Sequence, residues 1–274
     1  MLTSSEYLEA QYLEAEYNNR RKVPDFSGII QAWANDAAVF RDSHDNAEFD
    51  VAYGPTERQK LDLFWPGAAR DAPIAMFIHG GYWQALDRSF ASHLAHGLTA
   101  HGVAVAVPSY DLCPAVTLAE LTEQLRACAG FLAHRHKRGV LAIGHSAGGH
   151  LAAMLMATDW VARGLAHDTV IAGLPISGLF DLVPLLRTTV MPDGLDEAEA
   201  RRLSPMFLPS PGVPFHAIVG GDEGEEYARQ SRDFAEAWGG TWESVPGANH
   251  LTVIAPLADP DSTLVRRALA LLGL

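Results

Sequence analysis

Cysteine is scarce in this chain of 274 residues, which contains only Cys113 and Cys128. Two thiols cannot form the disulfide framework of a small secreted domain, so we expect a reducing compartment and a cytoplasmic protein. The first ten residues lack the basic start and the apolar run of a signal peptide. No stretch approaches the roughly 18 uncharged apolar residues that a membrane span needs. The sequence therefore predicts no secretion signal and no transmembrane segment.

Basic residues are outnumbered, with 20 Lys and Arg against 33 Asp and Glu, and the formal net charge is -13. Such a surface repels phosphate backbones and anionic lipids, so we expect neither nucleic acid nor a membrane as partner. No H-E-x-x-H motif or other metal-ligating spacing occurs, and we expect no metal and no cofactor. We therefore expect a small-molecule substrate as the partner. The sequence does not decide whether the protein forms a homodimer.

Hydrophobic residues make up 48% of the chain, which is enough for a large core. Short apolar runs alternate with helical patterns, which predicts an α/β fold with a mostly parallel central sheet and helices on both faces. We treat residues 1–274 as a single domain. The predicted strands are 61–65, 74–78, 103–107, 140–143, 171–176 and 215–219, and the predicted helices are 89–100, 118–136, 147–157 and 225–238.

Two segments fall outside this alternation. Residues 1–45 predict an N-terminal helical arm, whose first helix would pack through Tyr7, Leu8, Tyr12 and Leu13 and would end in an irregular basic segment. Residues 181–214 are rich in proline and predict a cap-like insertion over the site. A passive surface excursion explains the same insertion equally well.

The strongest chemical signal is the motif Gly144-His145-Ser146-Ala147-Gly148, which matches G-x-S-x-G. An apolar strand leads into it and a helix-forming run follows, so Ser146 should stand on a sharp turn between strand and helix. Small residues are needed there because the strained backbone leaves no room for bulk. We predict that Ser146 is a nucleophile, with the helix N-terminus behind it favouring negative charge.

A glycine turn follows the predicted strand 74–78, in the run His79-Gly80-Gly81-Tyr82-Trp83-Gln84. An acyl-transfer enzyme must stabilise the oxyanion of a tetrahedral intermediate, and backbone N–H groups on such a turn can approach it closely. We assign the oxyanion donors to Gly80, Gly81 and Ala147, with the N–H of Tyr82 as an alternative.

The base is predicted to be His250, which lies on a Gly-containing loop near the C-terminus. The order Ser, acid, His along the chain is that of the α/β-hydrolases. Either Asp222 or Glu223, after the strand 215–219, could orient the imidazole, and the spacing alone does not choose between them. Four further residues are candidates for substrate contact, with core packing as the alternative: Tyr82, Trp83, His145 and Phe180.

Several of these motifs resemble those of kynurenine formamidases (arylformamidases) of the α/β-hydrolase type. The resemblance covers residues 60–255 and includes the glycine turn, the serine motif, and the runs 110–114, 177–182 and 229–231. It implies metal-independent hydrolysis of N-formyl-L-kynurenine to L-kynurenine and formate. Matching the run 229–231 implies Glu223 as the acid, although relatives often carry Asp there. Two alternatives remain: a carboxylesterase or other small amidase, and a non-catalytic hydrolase-like binding protein.

Overall fold

The computed structural model describes residues 3–274, in which strands and helices alternate around one eight-stranded sheet. The strands are β1 (Ala47–Ala52), β2 (Lys60–Phe64), β3 (Ile74–Ile78), β4 (Ala104–Pro108), β5 (Val140–His145), β6 (Val170–Ile176), β7 (His216–Gly220) and β8 (Thr241–Val245). The helices are α1 (Ser4–Tyr17), α2 (Asn19–Lys22), α3 (Phe26–Ser43), α4 (His96–Thr99), α5 (Leu118–His136), α6 (Ala147–Met156), α7 (Glu197–Arg202), α8 (Glu225–Trp238) and α9 (Thr263–Leu271).

The strand order across the sheet is β1-β2-β4-β3-β5-β6-β7-β8. β1 and β2 pair antiparallel with each other, and β2 pairs antiparallel with β4. All the other pairs are parallel. The carboxyl ends of β3, β5, β7 and β8 therefore meet at one edge of the sheet, where α/β proteins bind their ligands.

The sheet is buried on both faces, because successive residues of its strands point to opposite sides. In β3, Ile74, Met76 and Ile78 belong to a core shared with α5, α6 and α8. Ala75 and Phe77 belong to the opposite core, which α3, α4 and α9 complete. The predicted α/β-hydrolase fold is therefore confirmed. Within residues 3–274, no helix combines the length and the hydropathy that a membrane span requires.

Two secondary-structure predictions are wrong. The helix expected at 89–100 is broken into the 3₁₀ segments Arg88–Phe90 and Ser92–Ala95 and the single turn α4. Ser, His and Gly give this stretch weak helix propensity, and Gly97 is pressed so closely on Leu257 that an added Cβ would stand 2.4 Å from its carbonyl oxygen. The basic segment after α1, expected to be irregular, forms the helical turn α2.

Of the four residues expected to pack the first helix onto the domain, only Leu13 does so. Tyr7, Leu8 and Tyr12 are exposed, whereas Leu13 and Tyr17 are buried against the domain. The hydroxyl of Tyr17 lies 2.8 Å from Glu226 Oε2, to which it donates. The N-terminal arm, which consists of α1, α2 and α3, is therefore fixed by Tyr17 rather than by the tyrosines nearer its start.

Candidate active site

Ser146 stands on the tight turn between β5 and α6, with φ 58° and ψ -120°. This left-handed backbone is unusual for a residue with a side chain and marks local strain. The flanking glycines are required sterically. A Cβ at Gly144 would lie 2.0 Å from the carbonyl oxygen of Gly148, and a Cβ at Gly148 would lie 2.0 Å from that of Ile78. The motif thus has the strand-turn-helix context that the sequence predicts.

The glycine turn after β3 lies directly beside the serine. A Cβ at Gly80 would stand 3.0 Å from the Cβ of Ser146, and Gly81 adopts φ 109°, which favours glycine. Among residues 3–274, no protein acceptor takes a hydrogen bond from the backbone N–H of Gly80, Gly81, Tyr82 or Ala147. Free amides next to a nucleophile could accept the negative charge of an oxyanion.

His250 meets Glu223 and not Asp222. The Nδ1 of His250 lies 2.6 Å from Glu223 Oε2, and both side chains are almost completely buried. Asp222 is exposed to solvent on the same loop. The carboxylate that contacts His250 is therefore Glu223, which the motif resemblance implies and which residue spacing alone left undecided. A carboxylate in this position fixes the imidazole tautomer and stabilises its charged form.

Ser177 is a functional candidate that sequence reasoning missed. Its hydroxyl lies 2.5 Å from Glu223 Oε1, which also accepts a hydrogen bond of 2.6 Å from the N–H of Gly220. Glu223 therefore has both carboxylate oxygens occupied, one by His250 and one by these donors. Ser177 lies in the run 177–182, which the sequence analysis quoted only as part of a family resemblance, so no spacing rule pointed to its contact.

His145, an expected substrate contact, instead supports the histidine loop while it lines the cavity. Its Nε2 lies 2.7 Å from the carbonyl oxygen of His250. Burial, and secondly the nearby His250 ring, hold the pKa of His145 well below its ordinary value, so its imidazole is neutral. The N–H on Nε2 must therefore donate to the carbonyl, which leaves Nδ1 as an acceptor.

A cavity of about 90 Å³ opens at Ser146. Ser146, His250 and Tyr82 all line it, whereas residues 181–214, the expected cap, contribute none of its lining. The N-terminal arm forms the facing wall instead. The lining residues are Asn19, Arg20, Phe26, Ile30, Trp33, Gly80, Gly81, Tyr82, Ala85, Leu86, His145, Ser146, His250 and Leu251.

Two of the aromatic residues expected at the substrate lie in the core. Trp83 is completely buried, and its indole N–H donates to Nδ1 of His150 at 3.3 Å. Phe180 is also completely buried and stacks on Phe234 with ring centroids 4.1 Å apart. Packing, the alternative stated for these positions, explains both, and neither Trp83 nor Phe180 lines the cavity.

Four strands, β3, β5, β7 and β8, thus deliver one group of residues to the same edge of the sheet. We call Ser146, Glu223, His250 and the turn Gly80–Gly81 the strand-end cluster. Ser146 and His250 line the same cavity, although within residues 3–274 the serine hydroxyl makes no hydrogen bond. Such bonds are often long in an empty site and tighten when substrate binds. The arrangement fits nucleophilic attack on a carbonyl carbon.

Comparisons with known proteins agree with this geometry. Residues 75–272 match the model of the alpha/beta hydrolase family. The kynurenine formamidase of Salmo salar is 32% identical over 240 residues, which cover 82% of this chain and 81% of that protein. The kynurenine formamidase of Danio rerio is 28% identical, with 98% and 97% covered. A crystal structure from Silicibacter sp. TM1040, described as a candidate thioesterase, is 35% identical and superposes with a TM-score of 0.88 over 94% of this chain and 98% of its own.

Proposed function

Because this chain belongs to the alpha/beta hydrolase family and to its kynurenine formamidase-like members, we propose that it hydrolyses N-formyl-L-kynurenine to L-kynurenine and formate. The observation that carries the proposal is the pairing of His250 with Glu223 at 2.6 Å in a cavity that Ser146 also lines. The curated relatives named above support the choice of an aryl formamide as substrate.

The first half of the reaction is attack by the serine. The oxygen of Ser146 bonds to the formyl carbon while Nε2 of His250 takes the hydroxyl proton. The carbonyl oxygen gains a negative charge, which the N–H groups of Gly80, Gly81 and Ala147 stabilise, with the N–H of Tyr82 as the alternative donor. Removing one such donor typically weakens transition-state stabilisation by about 3 kcal/mol.

The second half releases both products. The bond between the formyl carbon and the aryl nitrogen breaks as His250 returns its proton to that nitrogen, and L-kynurenine leaves. Water then attacks the formyl carbon of the ester on Ser146 while His250 takes a proton from the water. The bond between that carbon and the Ser146 oxygen breaks as His250 returns the proton to the serine oxygen, and formate leaves. Glu223 stays ionised throughout and stabilises the imidazolium form of His250.

The size of the cavity favours a small acyl group. Ligand pockets typically measure about 300–1,000 Å³, whereas this cavity measures about 90 Å³. A formyl group fits beside Ser146, and the rest of an aryl substrate must extend toward the opening along the N-terminal arm. Long acyl chains have no matching space next to the serine.

The test is formate release from N-formyl-L-kynurenine by the purified protein, with the Ser146→Ala variant as control. We expect turnover by the native protein, and a kcat at least about 10,000-fold lower in the variant. Native protein that leaves the formamide intact would refute the proposal. Labelling of Ser146 by a fluorophosphonate probe separates a hydrolase from a non-catalytic binding protein, because only an activated serine reacts.

An esterase or thioesterase is the second candidate. It is favoured by the 35% identical structure from Silicibacter sp. TM1040, which is described as a candidate thioesterase. A panel of N-formyl-L-kynurenine, p-nitrophenyl acetate and an acetyl thioester compares the two functions directly. The formamidase proposal expects the highest kcat/KM on the formamide, and a higher value on either ester would favour the second candidate.

A further inference from the structure

The wall of the cavity contains a single formal charge among residues 3–274. Arg20 on α2 is the only Lys or Arg that lines it, and no Asp or Glu does so. The whole chain carries a formal net charge of -13. A lone cation in such an environment attracts an anion, and at a cavity that anion is a group on the substrate.

Arg20 differs from the two basic residues that follow it on α2. Arg21 approaches Glu14 at 4.0 Å, and Lys22 pairs with Glu16 at 2.9 Å. No acidic partner of Arg20 exists in the part of the chain that the structure describes. The guanidinium of Arg20 therefore keeps its planar set of donors available, and this set matches the two oxygens of a carboxylate.

The neighbouring Asn19 supplies an unused acceptor. Only 1% of Asn19 is exposed, and its Nδ2 donates to the hydroxyls of Tyr82 and Tyr227 at 3.2 and 2.9 Å. The orientation of the amide is fixed, because the Tyr82 hydroxyl gives its own proton to the carbonyl of Tyr17 at 2.5 Å and must accept from Asn19. Asn19 Oδ1 is left buried and, among residues 3–274, without a partner.

A buried acceptor without a partner is uncommon and calls for an explanation. Asn19 lines the cavity beside Arg20, and because its Oδ1 is buried, a ligand donor reaches it only when the adjoining wall moves. Arg20 thus offers a planar, positively charged guanidinium to an anion, and Asn19 offers an oxygen acceptor to an N–H group. An α-amino acid carries both complementary groups on one carbon atom, a carboxylate and an ammonium.

We propose that Asn19 and Arg20 form a subsite for the α-amino-acid end of the substrate, with Arg20 binding the α-carboxylate and Asn19 Oδ1 accepting from the α-ammonium. The inference rests on the proposed formamidase function and assigns specificity to the N-terminal arm. The strand-end cluster would then select the formyl group, and α2 would select the amino acid attached to the ring.

The experiment compares two substrates and four proteins, the native protein and three variants. N-formyl-L-kynurenine carries the amino-acid end, and 2-formamidoacetophenone keeps the aryl formamide without it. For Arg20→Gln we expect kcat/KM on N-formyl-L-kynurenine to fall by about 10- to 100-fold, mainly through KM, because a hydrogen bond to a charged group is lost. The value on 2-formamidoacetophenone should change by less than about twofold, since that substrate makes no such bond. The matched control, Arg21→Gln, should leave both values unchanged, and Arg20→Lys should restore part of the loss.

Unchanged kcat/KM on N-formyl-L-kynurenine in Arg20→Gln, or an equal loss on both substrates, would overturn the subsite. Native protein that hydrolyses neither formamide would refute the proposed function instead. The subsite then keeps its own test, which is inhibition of p-nitrophenyl acetate hydrolysis by L-kynurenine. That inhibition should weaken about 10-fold or more in Arg20→Gln, and equal inhibition of both proteins would overturn the subsite.

Discussion

The strand-end cluster and the N-terminal arm face each other across one cavity, but different forces hold them. Backbone geometry holds the cluster, because Gly144 and Gly148 permit contacts that no side chain would allow. Side chains hold the arm, through Tyr17 and Asn19, which bond to residues far away in sequence. The residues proposed to react, which need fixed distances, thus lie at strand ends. The residues proposed to select the substrate lie on the N-terminal arm.

The largest expected effect tests the chemistry of the cluster. Glu223→Gln should lower kcat on the order of 10,000-fold, because an amide cannot stabilise the imidazolium and favours the wrong tautomer. Asp222→Asn, the matched control on the same loop, should change kcat by less than about twofold because its carboxylate faces solvent. Steady-state kinetics with N-formyl-L-kynurenine measures kcat for both variants. Comparable losses in the two variants would contradict the assignment of Glu223.

The second effect concerns the stability of the buried imidazoles around the cluster. Burial lowers the pKa of His79 and of His150 from 6.5 to about 4. Below pH 6.5 the unfolded chain binds protons that the folded chain does not. The free energy of unfolding should therefore fall as the pH drops from 6.5 to about 4, by about 3 kcal/mol for each of these residues.

Denaturant titrations at several pH values measure this fall. His150→Gln should flatten the dependence between pH 6.5 and 4, because glutamine removes one group that takes up a proton only on unfolding. His167→Gln, at an exposed position, should leave the dependence as in the native protein. A native protein whose unfolding free energy is constant over this pH range would show that these rings are protonated in the folded state.

The smallest effect concerns how the arm is held. Tyr17→Phe removes the hydroxyl that donates to Glu226 and accepts from Gln230 at 2.6 Å. We expect the free energy of unfolding to fall by about 1–3 kcal/mol, because buried groups lose their partner. The KM for N-formyl-L-kynurenine should rise while kcat changes little, since the arm only borders the site. Tyr12→Phe, on the exposed side of α1, is the control, and equal effects of both substitutions would refute this view of the arm.

The sequence predicts the cluster better than the arm, and the reason is physical. Ser146 and the glycine turn depend on local rules, in which a strand, a tight turn and a helix follow one another within a few residues. The α/β-hydrolase order of the chain then leads to His250. The choice between Asp222 and Glu223 needed three-dimensional structure, because it depends on which of two adjacent carboxylates turns inward.

The arm could not be predicted to line the cavity from its own residues. Its contacts with Tyr82 and Tyr227 span 63 and 208 residues of sequence, and no local pattern encodes such distances. Strands β1 and β8 and helix α9 also went unpredicted. Strand β8, for example, is partly exposed along its length, so it lacks the apolar run by which buried strands are recognised.

The bond from Tyr17 to Glu226 has a consequence for synthesis on the ribosome. The two residues are separated by 209 positions, so the arm emerges long before the helix that anchors it has been made. His250 is translated later still. A nascent or truncated chain that stops before this region therefore holds Ser146 without His250, its proposed base, and without the docked wall that carries Arg20. Unfinished copies should thus be unable to hydrolyse acyl compounds in the cell before the polypeptide is released.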